Sequence, residues 1–262
     1  MSAAATGTAR YAAPGNGSLS AARVVRAEWT KFRTLPSNLV TMTITSVTII
    51  GLAGVLLAAL AGEGTVPATI ELLAGVSWAQ FLPAVLGVVM ICSEWTSGTS
   101  KVTFLAVPTR WPALAAKVAV VGVATFVAGA AGAAGALVMG AATGVDVGRD
   151  PALVIRLVVG TGLYLGTIAV LALGLGAIVR DLVGSILTVL GFLWVVPFAA
   201  AMIPVPEVQE LTLYLPASAG VLLITPDNPA VGLTPWGGYA VLLAWAAAAL
   251  AGAVLTLRTR DV

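Results

Sequence analysis

Few side chains in this 262-residue sequence could do chemistry, and their spacing does not favour catalysis. The absence of histidine excludes Ser/His and Cys/His nucleophile pairs, HExxH zinc sites and histidine-bound haem. Cys92 is the only cysteine and can form no internal disulfide. Glu94 and Asp181 have no paired acid nearby, which favours a solvated or salt-bridged role over acid–base work. We therefore predict no catalytic residue and no metal site.

Phosphate-binding glycine motifs are also missing. No G-x-x-x-x-G-K-[ST] pattern occurs, so the chain cannot cradle ATP phosphates with a P-loop of its own. The Gly-x-Gly pairs at Gly160 and Gly162 and at Gly174 and Gly176 lie inside apolar runs, without the third glycine of a dinucleotide fingerprint. We expect this chain to bind no cofactor.

The polar connection with unusual content covers residues 93 to 117. Three of its apolar residues share one helical face at i, i+3 and i+4: Val102, Leu105 and Ala106. Gly98 and Pro108 mark the ends of this segment. The pattern predicts a short helix that offers a surface to a soluble partner. An ordinary interfacial loop is the alternative.

The elements that must position these residues are six long apolar runs. They cover residues 38–61, 72–92, 118–142, 157–179, 182–203 and 236–257. Each holds 21 to 25 residues, which at about 1.5 Å per residue exceeds the ~30 Å hydrocarbon core of a bilayer. With 59% hydrophobic and 9% charged residues and a mean hydropathy of +1.03, the chain has too little polar surface for a soluble globule. We predict an all-α polytopic membrane protein.

The positive charges are distributed asymmetrically between the two sides of these runs. If the N-terminus is cytosolic, 11 of the 13 Lys and Arg residues are inside: Arg10, Arg23, Arg26, Lys31, Arg33, Lys101, Arg110, Lys117, Arg180, Arg258 and Arg260. Only Arg149 and Arg156 remain outside. Cations in short loops orient spans, so both termini should be cytosolic. No basic stripe remains for nucleic acid.

The segment before the first run divides into two parts. Residues 1–20 are rich in Ala, Gly, Ser and Thr and are predicted to form a disordered cytosolic tail. Residues 21–33 are amphipathic, because Val25, Trp29 and Phe32 recur at i, i+4 and i+7. We predict a helix on the inner leaflet with four anchoring residues: Arg26, Trp29, Lys31 and Arg33. A cation cluster that only orients the first span is the alternative.

Small residues and prolines, but no charges, occupy the interiors of the runs. Gly162 and Gly166 form a GxxxG pair, for which internal packing is favoured over a subunit interface. Pro83 and Pro197 should kink the second and fifth runs. The lack of ionisable residues near any midplane argues against a proton-coupled carrier. The candidates for substrate contact are polar or aromatic side chains among small and aliphatic ones: Trp78, Gln80 and Tyr164.

The sequence resembles the membrane permeases of ATP-binding cassette (ABC) exporters of the second exporter class, which have six spans per subunit. The resemblance is carried by Glu94, Gly98-Thr99, Pro108 with Arg110, and Lys117, which are similar to a Glu-x-x-x-Gly-Thr…Pro-x-Arg…Lys pattern. Two further stretches are similar to actinobacterial members: Glu28-Trp29-Thr30-Lys31-Phe32-Arg33 and Arg258-Thr259-Arg260-Asp261. The likeness in layout covers essentially the whole chain.

The resemblance implies a role for each segment. Residues 22–34 would be an interfacial elbow helix, 98–107 a coupling helix docked on an ATPase, and 204–235 outer re-entrant helices. The implied coupling residues are Glu94, Gly98, Thr99, Lys101, Phe104, Leu105, Pro108 and Arg110.

The implied function is export of a hydrophobic or amphiphilic substrate across the cell membrane. ATP and Mg would be held by a separate cytosolic P-loop ATPase subunit, and a second permease subunit would complete a homo- or heterodimer. An assembly subunit without transport of its own, or an intramembrane enzyme, are the alternative functions.

The charge asymmetry yields a testable topology. A reporter fused after Val262 should behave as cytosolic, and residues 62–71, 143–156 and 204–235 should lie outside. An impermeant thiol reagent should label a cysteine introduced at Asp227 in intact cells, with Cys92 replaced by Ser as the background. Protection of that cysteine in intact cells would contradict the topology.

Overall fold

The computed structural model describes residues 21–61, 65–96, 111–225 and 232–259, without the side chains of residues 94–96, 111 and 257–259, and these ranges contain helices and no strand. Six helices are long and apolar enough to cross a membrane: Pro36–Ala61, Glu71–Ser93, Pro112–Ala142, Pro151–Val179, Leu182–Ala201 and Pro235–Thr256. We call them the first to sixth spans. The predicted multi-pass membrane architecture is confirmed.

The third and fourth spans begin earlier than their hydropathy indicates. The third-span helix starts at Trp111 and the fourth at Pro151. The added turns carry Lys117 and Arg156, whose charges lower the hydropathy but do not interrupt the helix. Asp150 caps the fourth span by accepting hydrogen bonds from the backbone N–H groups of Ala152 and Leu153, at 3.0 and 3.1 Å.

A separate amphipathic helix, Ala21–Thr34, precedes the first span. The first span begins at Pro36, a residue that suits the first position of a helix. Of the residues predicted to share its apolar face, Phe32 is 2% exposed, whereas Val25 and Trp29 are 39% and 43% exposed. Phe32 turns inward, and its face is shared with the buried Glu28 one helical turn earlier. Location of this helix at the membrane surface stays a prediction.

The fourth span lies at the centre of the bundle and packs against the second, third, fifth and sixth spans. Glycines make the closest approaches possible. A Cβ at Gly162 would stand 2.8 Å from the backbone oxygen of Phe126, and one at Gly166 would stand 3.0 Å from the oxygen of Gly122. The GxxxG pair is therefore used for packing within the chain.

The second and fifth spans are each built from shorter helical segments, and Pro83 and Pro197 lie within them. The kinks expected at these prolines stay predictions. The second span begins with a 3-10 turn, Glu71–Leu73, and a short helix, Val76–Ala79, before the main helix Phe81–Thr96 that contains Pro83. The fifth span runs from Leu182–Leu190 through a π turn, Gly191–Val195, to the helix Val196–Ala201 that contains Pro197. Proline cannot donate to the carbonyl four residues back. In the fifth span the π turn lies directly before the helix that contains Pro197.

The connections alternate between two ends of the bundle. At the end that carries the amphipathic helix, called here the amino-terminal end, Arg180 and Asp181 alone join the fourth and fifth spans. Arg180 adopts a left-handed conformation (φ 63°) and donates from its guanidinium to the backbone oxygen of Thr256 at 2.8 Å. Asp181 accepts from the N–H of Gly184 at 2.6 Å and caps the fifth span, which gives this carboxylate a structural role.

At the opposite end, two short helices follow the fifth span, Pro206–Thr212 and Pro216–Val221, and the second leads into a 3-10 turn, Leu222–Ile224. Gly220 packs against Tyr164 and Leu242, so this segment reaches back between the fourth and sixth spans. Tyr164 lies 13 residues into the fourth span, or about 20 Å along its axis. The described part of the segment therefore packs inside the bundle, and its identity as re-entrant helices stays a prediction.

The glycine contacts predict the effect of an added methyl group. Gly162→Ala should lower the free energy of unfolding by about 1–3 kcal/mol, because the Cβ meets the backbone of Phe126. Gly51→Ala is the matched control, since nothing lies within 4 Å of its Cβ and alanine favours a helix. Unfolding in detergent measures both variants. Equal stability would show that the close approach of the two backbones is unimportant.

Candidate functional site

A buried ion pair joins the amphipathic helix to the third span at the amino-terminal end. The carboxylate of Glu28 accepts from the Nζ of Lys117 at 2.9 Å through Oε2, and from the Nζ of Lys31 at 2.7 Å through Oε1. Glu28 and Lys117 are each only 3% exposed, whereas the side chain of Lys31 is half exposed. Both carboxylate oxygens are thus engaged by ammonium groups.

The two lysines decide the charge state of Glu28. Burial by itself would raise the pKa of this carboxyl, but Lys117 and Lys31 act in the opposite direction and hold the pKa below its ordinary value of 4.5. A carboxyl with a lowered pKa in the folded state stabilises that state above the ordinary value. This contribution should be lost as the pH falls through the lower, folded-state pKa.

Asn38 ties the end of the amphipathic helix to two spans. It is 2% exposed, and its Nδ2 donates to the backbone oxygen of Phe32 at 3.0 Å and lies 3.5 Å from the Sδ of Met90. The last carbonyls of a helix have no partner within it, so the Asn38 amide satisfies one of them. Sequence reasoning missed this residue. The available signal was a single amide at the start of an apolar run.

These residues form one structural unit, which we call the junction: Glu28, Lys31, Phe32, Asn38 and Lys117. Lys117 lies six residues after Trp111, or about 9 Å along the third-span helix. Met90, which contacts Asn38, lies six residues before Thr96 at the end of the second-span helix. The junction therefore stands close to both ends of the segment 97–110 that connects the two spans.

The predicted coupling residues lie between Asn38 and Lys117 of the junction in the sequence. Glu94 lies in the last turn of the second-span helix, and its side chain is outside the described part of the structure. The other seven also lie outside the described residues: Gly98, Thr99, Lys101, Phe104, Leu105, Pro108 and Arg110. Among the predicted anchors, Lys31 belongs to the junction, while Arg26, Trp29 and Arg33 are exposed on the amphipathic helix.

Two of the three substrate candidates are in contact with each other. The hydroxyl of Tyr164 donates to Oε1 of Gln80 at 2.6 Å, and the Nε2 of Gln80 donates to the backbone oxygen of Ser77 at 2.7 Å. Both side chains are buried, at 1% and 3% exposure, so the bond satisfies polar groups between the fourth and second spans. Trp78 lies apart, 57% exposed and edge-to-face with Trp194 at 5.1 Å.

No protein-family model and no curated protein matches this sequence.

The junction predicts a large effect of a small change. Glu28→Gln keeps the side-chain size but removes the negative charge that pairs with the buried Lys117, which should lower the free energy of unfolding by about 3–5 kcal/mol. Unfolding of the purified chain in detergent measures the loss. In this variant, acid pH should no longer lower the free energy of unfolding through protonation of residue 28.

The chain offers a matched control in the exposed pair of Asp146 and Arg149. Asp146→Asn should leave stability nearly unchanged, because solvent screens an exposed pair. The double change Glu28→Leu with Lys117→Met should recover most of the loss, because apolar side chains replace both buried charges. If Glu28→Gln is as stable as Asp146→Asn, the buried ion pair does not hold the junction together.

Proposed function

We propose that this chain is the permease subunit of an ABC exporter. It moves a hydrophobic or amphiphilic substrate outward across the cell membrane, with both termini in the cytosol. A separate cytosolic P-loop ATPase subunit binds and hydrolyses ATP with Mg. A second permease subunit, identical or different, completes the transport unit, which alternates between inward and outward states.

The observation that carries this proposal is the junction. An ATPase that pushes on the segment 97–110 must pass the displacement to the spans on either side. Glu28 and Lys117 lock the amphipathic helix to the third span, and Asn38 holds its end against the second. A displacement applied at 97–110 would therefore move the amphipathic helix, the second span and the third span together. Coupling requires such a rigid connection, since a loose one would absorb the movement.

The distribution of charged residues supports an energy source outside this chain. The sequence places no Asp, Glu, Lys or Arg near a span midplane, where proton-coupled carriers usually carry an ionisable residue. Gln80 and Tyr164 are already hydrogen-bonded to each other. The sequence also contains no P-loop. Energy for transport would thus come from another subunit.

The exposed face of the amphipathic helix suits the cytosolic leaflet. Arg26 and Arg33 are exposed beside Trp29, whose ring stacks on Phe32 at a centroid distance of 5.9 Å. Basic side chains attract anionic headgroups, and tryptophan prefers the interfacial region. The membrane would then fix one side of this helix while the junction fixes the other.

Two variants test coupling directly. In the complex of the chain with its ATPase subunit, reconstituted in vesicles, Glu94→Ala and Gly98→Pro should each cut substrate-stimulated ATP hydrolysis and efflux about tenfold or more. The first removes a carboxylate, and a hydrogen bond to a charged group is worth about 1.5–3 kcal/mol. The second constrains the backbone of the proposed coupling helix. Membrane insertion and expression should stay near normal.

Asp146→Asn again serves as the control and should transport at the unmodified rate. The isolated chain should neither bind nor hydrolyse ATP. If both coupling variants export normally in the assembled complex, residues 94–110 form an ordinary loop. If the chain assembles with no P-loop ATPase, the assembly-subunit alternative replaces the exporter.

A further inference from the structure

A cavity of about 820 Å³ opens at the end of the bundle opposite the junction. Three elements line it: the connection before the second span, the start of the fourth span and the start of the sixth. Its lining consists of Ala68, Thr69, Ile70, Asp150, Ala152, Leu153, Ile155, Arg156, Val159, Pro235 and Trp236. We call it the opposite-end cavity.

The lining divides into an apolar wall and a polar rim. Ile155, Val159 and Trp236 remain 64%, 37% and 57% exposed, so the chain itself leaves this apolar surface uncovered. Asp150 and Arg156 supply the charged groups among the lining residues. An apolar wall that ends in charged groups matches a molecule with a hydrocarbon chain and a polar head.

The depth of Arg156 matches the level of lipid headgroups. The fourth span holds 29 residues, which corresponds to about 43 Å and so covers the ~30 Å hydrocarbon core and part of both headgroup regions. Arg156 lies six residues after the Asp150 cap, or about 9 Å along the axis. This depth places its guanidinium near the boundary between headgroups and hydrocarbon, and Val159 about one turn deeper.

The charges at this end differ in their surroundings. Arg149 is at the surface and its Nε lies 2.5 Å from the carboxylate of Asp146. Asp150 directs Oδ1 toward two N–H groups at the start of the fourth span, whose helix dipole favours a negative charge there. Arg156 is partly buried in the cavity wall, where its guanidinium donates to the backbone oxygen of Thr225 at 3.4 Å. The guanidinium therefore lies beside the cavity.

We propose that the opposite-end cavity binds an amphiphile with an acidic headgroup, a phosphate or a carboxylate. The headgroup interacts with the cationic Arg156, and the hydrocarbon chain lies along Ile155 and Val159 with Trp236 at the side. An ionised oxygen near a guanidinium gains a strong charge-assisted interaction, and the partly buried setting weakens screening. A resident phospholipid and a transported amphiphile share the required chemistry. The binding site therefore does not depend on whether this chain is an exporter.

Three probes separate the two parts of the ligand. The full chain in neutral detergent is titrated by native mass spectrometry with phosphatidylglycerol, with diacylglycerol of the same chains, and with glycerol phosphate. Phosphatidylglycerol should bind at least about tenfold more tightly than either partial probe, because only it combines the charge with the chains.

Four variants locate the site. Arg156→Gln should weaken phosphatidylglycerol binding about tenfold or more, whereas Arg156→Lys should retain part of it. Arg149→Gln removes a cation at the same end but outside the cavity lining, and should bind as the unmodified chain does. Val159→Trp should obstruct the hydrocarbon chain while leaving Arg156 in place. The thermal midpoint of each variant, measured alongside, identifies any that fail to fold.

The same measurements can overturn the proposal. Equal phosphatidylglycerol binding by Arg156→Gln and the unmodified chain, or an equal loss in Arg149→Gln, would show that Arg156 does not form the site. Diacylglycerol binding as tight as that of phosphatidylglycerol would show that the cavity recognises hydrocarbon alone. Organic extraction of the chain purified from cells distinguishes the sources: a bilayer phospholipid indicates a resident lipid, and a different acidic amphiphile indicates cargo.

Discussion

Backbone-to-backbone approach around the fourth span is the constraint on which the rest of the bundle depends. Lipid chains are as apolar as the side chains they touch, so association of spans needs close packing. Gly87 packs directly on the backbone of Ala169, and a Cβ at Gly174 would stand 3.0 Å from the carbonyl carbon of Ala249. With Gly162, these contacts let the second, third and sixth spans approach one central helix. The polar contacts of the fourth span with the second and sixth spans, Gln80 to Tyr164 and Thr167 to Tyr239, lie among these close approaches.

Hydrogen bonds between polar groups join neighbouring spans. Ser46 donates to the backbone oxygen of Ala128 at 2.7 Å and joins the first span to the third. The hydroxyls of Thr167 and Tyr239 lie 3.3 Å apart between the fourth and sixth spans. The bond between Gln80 and Tyr164 does the same for the second and fourth. Unsatisfied polar groups are costly in an apolar environment, so these pairs favour one register of each span against its neighbour.

Sequence reasoning identified all six spans, because length and hydropathy are local properties of the chain. It placed the starts of the third and fourth spans too late, because charge lowers hydropathy without ending a helix. The pairing of Glu28 with Lys117 joins residues 89 positions apart, and no local pattern indicates which cation a buried carboxylate meets. The inward turn of Phe32 likewise depends on the third span beneath it. Gln80 and Tyr164 stood out as polar, but their mutual contact depends on tertiary packing.

The connection of Arg180 and Asp181 makes the fifth span a tethered element. The fifth span has little of its surface buried within the chain, yet a two-residue link holds its start beside the fourth span at a high effective concentration. Aromatic contacts at the π turn, Gly191–Val195, add to the tether, because Trp194 packs on Trp78 and Phe192 packs on Trp245. Beyond that turn, the helix Val196–Ala201 has no residue buried within the chain. The covalent link thus allows weak packing and permanent association in the same helix.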